Sequence, residues 1–137
     1  MTPQQKNLVQ TTFAKVAPIA PTAAELFYGK LFEIDPTLRA LFKGDMKQQG
    51  AKLMKMIGFC VNGLDNLPAL VPAVQELGRR HVGYGVVDAH YATVGAALLW
   101  TLDKGLGPDF TDEVKEAWAT VYGILATTMK DAPSGPL

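Results

Sequence analysis

A chain of 137 residues is long enough for one domain with a sizeable core, and at 48% hydrophobic and 19% charged it reads as globular rather than disordered. Lys+Arg and Asp+Glu both number 13, so the formal charge is zero and the basic excess of a nucleic-acid binder is missing. A single cysteine, Cys60, excludes an internal disulfide, no apolar segment of signal-peptide type follows Met1, and the longest fully apolar runs are too short to cross a bilayer. These features together point to a soluble cytoplasmic protein with no membrane span.

Taken in chain order, Thr2-Pro3-Gln4-Gln5 is a helix start, with Thr2 as cap, Pro3 at the first helical position and Gln5 completing a capping box. Leu8, Val9, Thr12, Phe13 and Val16 form its inner stripe. Pro18 and Pro21 end that helix and open the next, for which Thr22-Ala23-Ala24-Glu25 offers a second capping box. The second helix runs through Leu26, Phe27, Tyr28, Leu31 and Phe32 to about Ile34. It is apolar nearly all round, so it should be buried on most sides. Asp35-Pro36 starts a short turn of helix that continues to Phe42 and is broken by Lys43-Gly44-Asp45.

A long helical pattern then extends from Met46 to Asn62, with Gln49, Leu53, Ile57 or Met56, Cys60 and Leu64 on one face and Lys47, Lys52 and Lys55 on others. Gln49 is a polar side chain in line with an apolar stripe. Gly63 to Pro68 is a connection, and Pro68 and Pro72 flank the start of the next helix. There Leu70, Val74, Leu77 and His81 recur at i, i+4, i+7 and i+11, which draws one helix face, and Gly83 and Gly85 terminate it. Asp88 can cap a helix carrying Tyr91, Val94, Leu98 and Leu102, ended by Gly105, Gly107 and Pro108. Thr111-Asp112-Glu113 opens the last helix, whose stripe is Val114, Trp118, Val121, Tyr122, Leu125 and Met129. No alternating strand pattern, internal repeat or linker is present. The expectation is all-α, about six substantial helices plus a short one, in a single domain over residues 1–132 with a disordered tail at 133–137.

Most local signatures of chemistry are missing. There is no Cys-x-x-Cys, no His-Glu-x-x-His, no Walker A loop and no Gly-x-Ser-x-Gly, and Gly78, Gly83 and Gly85 do not follow a strand. What remains is His81 in an apolar face, with Tyr28 and Gln49 as polar residues in otherwise apolar helices. Singly, each has a plain reading: a core histidine bonded to a carbonyl, a core tyrosine, a first-turn glutamine reaching water. Together they describe a pocket with a metal ligand on one side and hydrogen-bond donors on the other.

With these residues in view, the chain resembles a globin, and more narrowly the bacterial single-domain haemoglobins related to the globin module of flavohaemoglobins. The resemblance covers nearly all of residues 5–131. It rests on Leu26-Phe27-Tyr28, Asp35-Pro36 through Leu41-Phe42, Gln49 with Leu53, Asp65 to Leu70, Arg80-His81, His90-Tyr91 with Val94-Gly95, and Ala117-Trp118 through Gly123. The resemblance implies a globin fold around non-covalent haem b, with His81 as the proximal iron ligand. Tyr28, Gln49 and Leu53 would line the distal side, and Phe42, Arg80, Tyr91 and Val94 would contact the cofactor. It also implies O2, CO and NO as ligands.

The implied function is reversible dioxygen binding. Nitric oxide dioxygenation, in which Tyr28 and Gln49 would be the catalytic side chains, would need a separate reductase, because the flavin and nicotinamide domains of flavohaemoglobins do not follow the globin segment in this sequence. A gas sensor acting through a partner protein is the alternative. The chain departs from flavohaemoglobins at one further point. Where the family carries a Glu that pairs with the tyrosine equivalent to Tyr91 and with the proximal histidine, 11 residues after Tyr122, this chain has Pro133. A strong carboxylate-driven push on His81, and peroxidase character with it, is therefore not expected.

Overall fold

The computed structural model describes residues 1–42, 44–83 and 85–130. Six α-helices follow one another: α1 (Pro3–Val16), α2 (Ala20–Ile34), α3 (Met46–Gly63), α4 (Leu67–Gly83), α5 (Asp88–Leu106) and α6 (Asp112–Lys130). Short 3-10 turns at Ala17–Ile19, Pro36–Leu41, Leu64–Asn66 and Gly107–Asp109 join them, and no strand occurs among the described residues. The all-α reading holds. Its disordered tail, the Pro133 position and Lys43 lie outside the described residues.

The helix ends show where local sequence rules applied. Thr2 Oγ1 accepts from Gln5 N–H at 3.0 Å and Gln5 Oε1 accepts from Thr2 N–H at 2.9 Å, a complete capping box on α1. Thr111 Oγ1 caps α6 through Val114 N–H at 3.2 Å. Three expectations are corrected. Thr22 caps nothing, because α2 already starts at Ala20, whose N–H bonds back to the Ala17 carbonyl of the preceding turn. Asp88 is the first residue of α5 rather than its cap, and the Val87 N–H is instead taken by His90 Nδ1 at 3.1 Å. Pro72 lies inside α4 rather than at its start. It gives up one N–H bond to the turn before it, close enough to the N-terminus that the helix carries through.

Two apolar clusters fill the molecule. The larger joins Val9 and Val16 of α1, Cys60, Val61 and Leu64, Leu70 and Val74 of α4, Leu102 and Leu106 of α5, and Val114, Trp118 and Val121 of α6. It contains one buried polar chain: Trp118 Nε1 donates to Thr12 Oγ1 at 2.9 Å, and Thr12 Oγ1 donates to the Leu8 carbonyl at 2.6 Å. The smaller cluster gathers Phe27, Tyr28, Leu31, Leu38 and Ala97, with Phe32, Leu41, Phe42, Met46, Leu53, Val94 and Leu98 packed on it. α2 packs chiefly on α5 and α3, while α1 and α4 both pack on α6.

Within the stretch Met46–Val82 an 18-residue window reaches a mean hydropathy of 1.3, by length and composition alone apolar enough for a membrane crossing. That departs from the expectation drawn from unbroken apolar runs, because a mean tolerates scattered charges. The stretch is two helices interrupted at Leu64–Asn66, where Asp65 pairs with Lys6 at 3.1 Å. Its apolar residues Cys60, Val61, Leu64, Leu70 and Val74 are buried in the larger cluster, while Phe59, Val71 and Val82 are exposed.

Two close helix approaches position the site. A Cβ on Gly50 would stand 2.8 Å from Ala24 Cβ, so α2 and α3 touch backbone to backbone beside Tyr28. A Cβ on Gly78 would collide with the Met129 carbonyl oxygen and lie 2.8 Å from its Cα, so α4 sits directly on α6 one turn before His81.

Candidate functional site

Tyr28 stands at the centre of an aromatic cage. Its ring lies 5.1 Å from Phe27 and 5.2 Å from Phe42, both edge-on, and 5.9 Å from Phe32, stacked. Phe42 in turn meets Phe32 at 5.5 Å. The Phe42 carbonyl accepts from Arg39 at 2.9 Å, which pins the residue where the 3-10 turn leaves off. Burial pushes the Tyr28 phenol above its ordinary pKa, and a hydrogen bond with the Gln49 side chain pulls the other way. The hydroxyl is therefore protonated at neutral pH, with the Gln49 amide of α3 close enough to influence it. Leu53, one turn beyond Gln49, and Val94 of α5 complete the same cluster.

His81 is partly buried at the end of α4. Its Nδ1 lies 2.7 Å from the Leu77 carbonyl. A carbonyl can only accept, so Nδ1 carries the proton and the ring's lone pair is directed to Nε2. Burial lowers the imidazole pKa more than that bond raises it, so the ring is neutral at physiological pH. The His81 carbonyl accepts from Val86 N–H at 3.0 Å, which folds the chain back after the helix. At Gly85, where φ is +90°, a Cβ would stand 3.5 Å from Leu41 of the Tyr28 cluster.

The structure thus brings Tyr28, Gln49, Leu53, Phe42 and Val94 together. Arg80 is not brought into that cluster. Its side chain is exposed and lies 3.6 Å from Glu76, while Arg79 takes the better bond to the same carboxylate at 2.8 Å. Tyr91 is buried, with the Lys130 ammonium 5.9 Å over its ring and the Tyr122 hydroxyl donating to its carbonyl at 2.6 Å. Sequence reasoning missed Phe27, Phe32 and Arg39 as builders of the Tyr28 cage. The only signal was the density of aromatics over residues 27–42. It also missed that Tyr122 spends its hydroxyl on Tyr91.

The donor chemistry suits one kind of metal centre. Among the described residues no three His, Cys, Asp or Glu side chains converge, so a bare ion would find too few ligands. An iron already held by four ring nitrogens needs a single neutral imidazole, and His81 has the chemistry to be one.

Six helices, an aromatic cage around Tyr28 and a neutral imidazole at the end of α4 make an all-α fold whose donor chemistry suits a haem protein. The globin family profile matches residues 25–129, and the chain belongs to that family. Over 132 residues it is 33% identical to a flavohemoprotein of Xylella fastidiosa, covering 94% of this chain and 33% of that protein. It is 31% identical to the flavohemoprotein of Vibrio cholerae, covering 96% and 34%. The chain therefore spans about a third of the length of these flavohemoproteins. It is also 30% identical to neuroglobin of Danio rerio, over 92% of this chain and 88% of that one. Among solved structures, an engineered carbene transferase built on a candidate nitric oxide dioxygenase from Rhodothermus marinus superposes with a TM-score of 0.85 at 27% identity, covering 95% and 91%. A bacterial globin from Campylobacter jejuni superposes at 0.83 with 24% identity over 96% and 95%, and shares the fold.

Proposed function

We propose that this globin holds non-covalent haem b through His81 and binds dioxygen reversibly, with CO and NO as further ligands. The observation that carries the reading is the committed tautomer of His81, neutral and bonded through Nδ1 to a backbone carbonyl. When bound, ferrous haem supplies an open coordination position for a diatomic gas. The chain's own residues do the rest. Tyr28 and Gln49 are hydrogen-bond donors on the α2 and α3 walls, and either can donate to a ligand that gains negative charge on binding. Leu53, Phe42 and Val94 exclude water from that space. Tyr91 would support the wall on the His81 side, and Arg80, exposed and only weakly paired with Glu76, would be free to contact the cofactor's polar edge. Because Leu77 O is a weaker acceptor than a carboxylate, His81 keeps its proton on Nδ1 and remains a modest electron donor, which favours oxygen binding over peroxidase chemistry.

The test is the absorption spectrum of the purified protein, ferric and ferrous, with and without O2 and CO. A Soret band that moves with each gas is expected, and its absence would overturn the reading. His81→Ala should lose haem or hold it weakly. His90→Ala should retain it, since His90 serves as the cap of α5. Equal retention in the two variants would reassign the ligand.

The likeness to flavohemoproteins and to the Rhodothermus-derived structure favours a second reading, conversion of NO and O2 to nitrate with a separate reductase returning the iron to the ferrous state. Aerobic NO consumption with nitrate as product, dependent on an added electron donor, tests it. A stable protein partner recovered with the chain, and no NO turnover, would favour a sensor instead.

A further inference from the structure

Two of the six helices, α1 and α3, contain no carboxylate. On α1 both lysines are answered from elsewhere in the fold, Lys6 by Asp65 at 3.1 Å and Lys15 by Asp109 at 3.2 Å. On α3 the lysines are Lys47, Lys52 and Lys55, and among the described residues no carboxylate pairs with any of them. Asp45 and Asp65 bracket the helix, but Asp45 caps it through the Lys47 N–H at 2.8 Å, and Asp65 is taken by Lys6. A chain of zero formal charge thus carries an uncompensated positive ridge. The ridge is regular. Gln48, Lys52, Lys55, Phe59 and Asn62 recur at i, i+4, i+7, i+11 and i+14, the spacing of one helix face, and all are exposed. The stripe is about 20 Å long at the helical rise. Phe59 is 52% exposed and is the one exposed aromatic ring among the described residues. Half its surface contributes nothing to this chain's own packing. An aromatic anchor set among charges has the makeup of a binding hot spot.

We propose that this ridge, centred on Lys52, Lys55 and Phe59, is the docking surface of an acidic, flavin-carrying protein that returns the iron to the ferrous state. The proposal rests on the dioxygenase reading, which calls for a separate reductase. Charge selects the occupant. Two copies of this chain would oppose lysine to lysine, so self-association on this face is disfavoured. An anionic bilayer is recognised by clusters of about four to eight basic residues, and α3 carries three. A donor with carboxylates around an apolar spot matches both features of the ridge. A stripe of this length makes a small contact, as suits a redox encounter that must form and dissolve in each cycle. Position favours electron delivery as well. The opposite face of α3 carries Gln49 and Leu53 toward Tyr28, so a donor docked here stands one helix thickness, about 10 Å, from that wall. The step moves one electron. The donor's reduced flavin is oxidised by one electron, ferric iron becomes ferrous, any proton is exchanged between the flavin and water, and no bond in this chain forms or breaks.

Flavodoxin, a small acidic FMN protein, is the probe. Amide NMR spectra of the ferrous, CO-bound protein are recorded with oxidised flavodoxin, so that contact is read without electron transfer. Shifts should cluster on the exposed stripe of α3. Lys52→Gln combined with Lys55→Gln should weaken binding several-fold and flatten its salt dependence. Lys104→Gln combined with Lys115→Gln, the same charge change on α5 and α6, should do neither. Phe59→Ser should weaken binding and keep the parent's salt dependence. All these side chains are exposed, and an unchanged Soret band checks that each variant is folded. Stopped-flow reduction of the ferric protein by reduced flavodoxin should rank the variants in the same order. Shifts centred on another face, or equal losses in the two lysine pairs, would overturn the proposal. So would a ridge that binds phosphatidylserine vesicles and not flavodoxin. If flavodoxin binds α3 and reduces the iron but aerobic NO is not consumed, the dioxygenase reading fails and the docking surface stands. NO consumption driven by flavodoxin and indifferent to the ridge variants would remove the surface alone.

Discussion

At the scale of single residues, the site depends on which hydrogen bond each polar group makes. The Tyr28 hydroxyl lies within the influence of Gln49, and a donor to a partly negative ligand contributes about 1.5–3 kcal/mol. Tyr28→Phe should therefore speed O2 release by about one to two decades. CO gains much less negative charge, so its release should change far less. Stopped-flow rates for both gases check this, and parallel changes would mean that the hydroxyl acts by its bulk. Tyr122 makes the opposite use of a phenol. Its hydroxyl donates to the Tyr91 carbonyl, and burial raises its pKa well above the ordinary 10.0. In the unfolded chain the phenol ionises first, so stability from this group is full below about pH 10 and falls as pH rises beyond it. Tyr122→Phe should cost about 0.5–1.5 kcal/mol near neutrality. The gap to the parent should then shrink in urea titrations above pH 10. A gap constant across that range would show that the phenol does not ionise differently on unfolding.

At the scale of helices, the decisive features are places where two backbones touch. Gly78 lets α4 rest on Met129 of α6, one turn before His81. Gly78→Ala should lower stability by about 1–3 kcal/mol, the usual cost of overpacking. Gly123→Ala, on a helix position with nothing within 4 Å, should raise it by roughly 0.5–1 kcal/mol through helix propensity alone. Thermal unfolding of the two variants should move in opposite directions, and shifts of the same sign would remove the close contact as the reason for glycine. These helices also show how far the sequence could be read. His81 was legible because three aliphatic residues mark its face, and Tyr28 and Gln49 because polarity stands out in apolar stripes. Their proximity was not, since they are 21 positions apart on different helices. Capping by Thr2 and Thr111 is local and was visible, whereas the cap of α5 comes from the ring of His90, a residue type that no capping rule favours. Pro72 was misread as a boundary because its steric rule concerns the residues before it, and the packing of α4 on α6 outweighs one lost bond. Gly78 gave no sign at all, because what a missing Cβ makes room for is known only when the other helix is in place.

At the scale of the whole molecule, the first and last helices hold each other. Trp118 Nε1 bonds to Thr12 Oγ1 across 106 positions, Phe13 lies 6.4 Å from the Trp118 ring, and Val9 beneath them is fully buried. This closure has a consequence for how the protein is made. The inner face of α1 is synthesised first, and its partner arrives 106 residues later, which at about 5–20 residues per second is a wait of roughly 5–20 seconds. During that interval Val9, Thr12, Phe13 and Val16 are an open apolar face on a nascent chain, available to a chaperone or a protease. Ribosome-bound chains halted before α6 should therefore be cut within α1 by a probing protease, and chains extended until α6 is free should resist. Equal resistance at both lengths would mean that α1 finds its cover among α3 and α5, and that translation leaves this globin no exposed window.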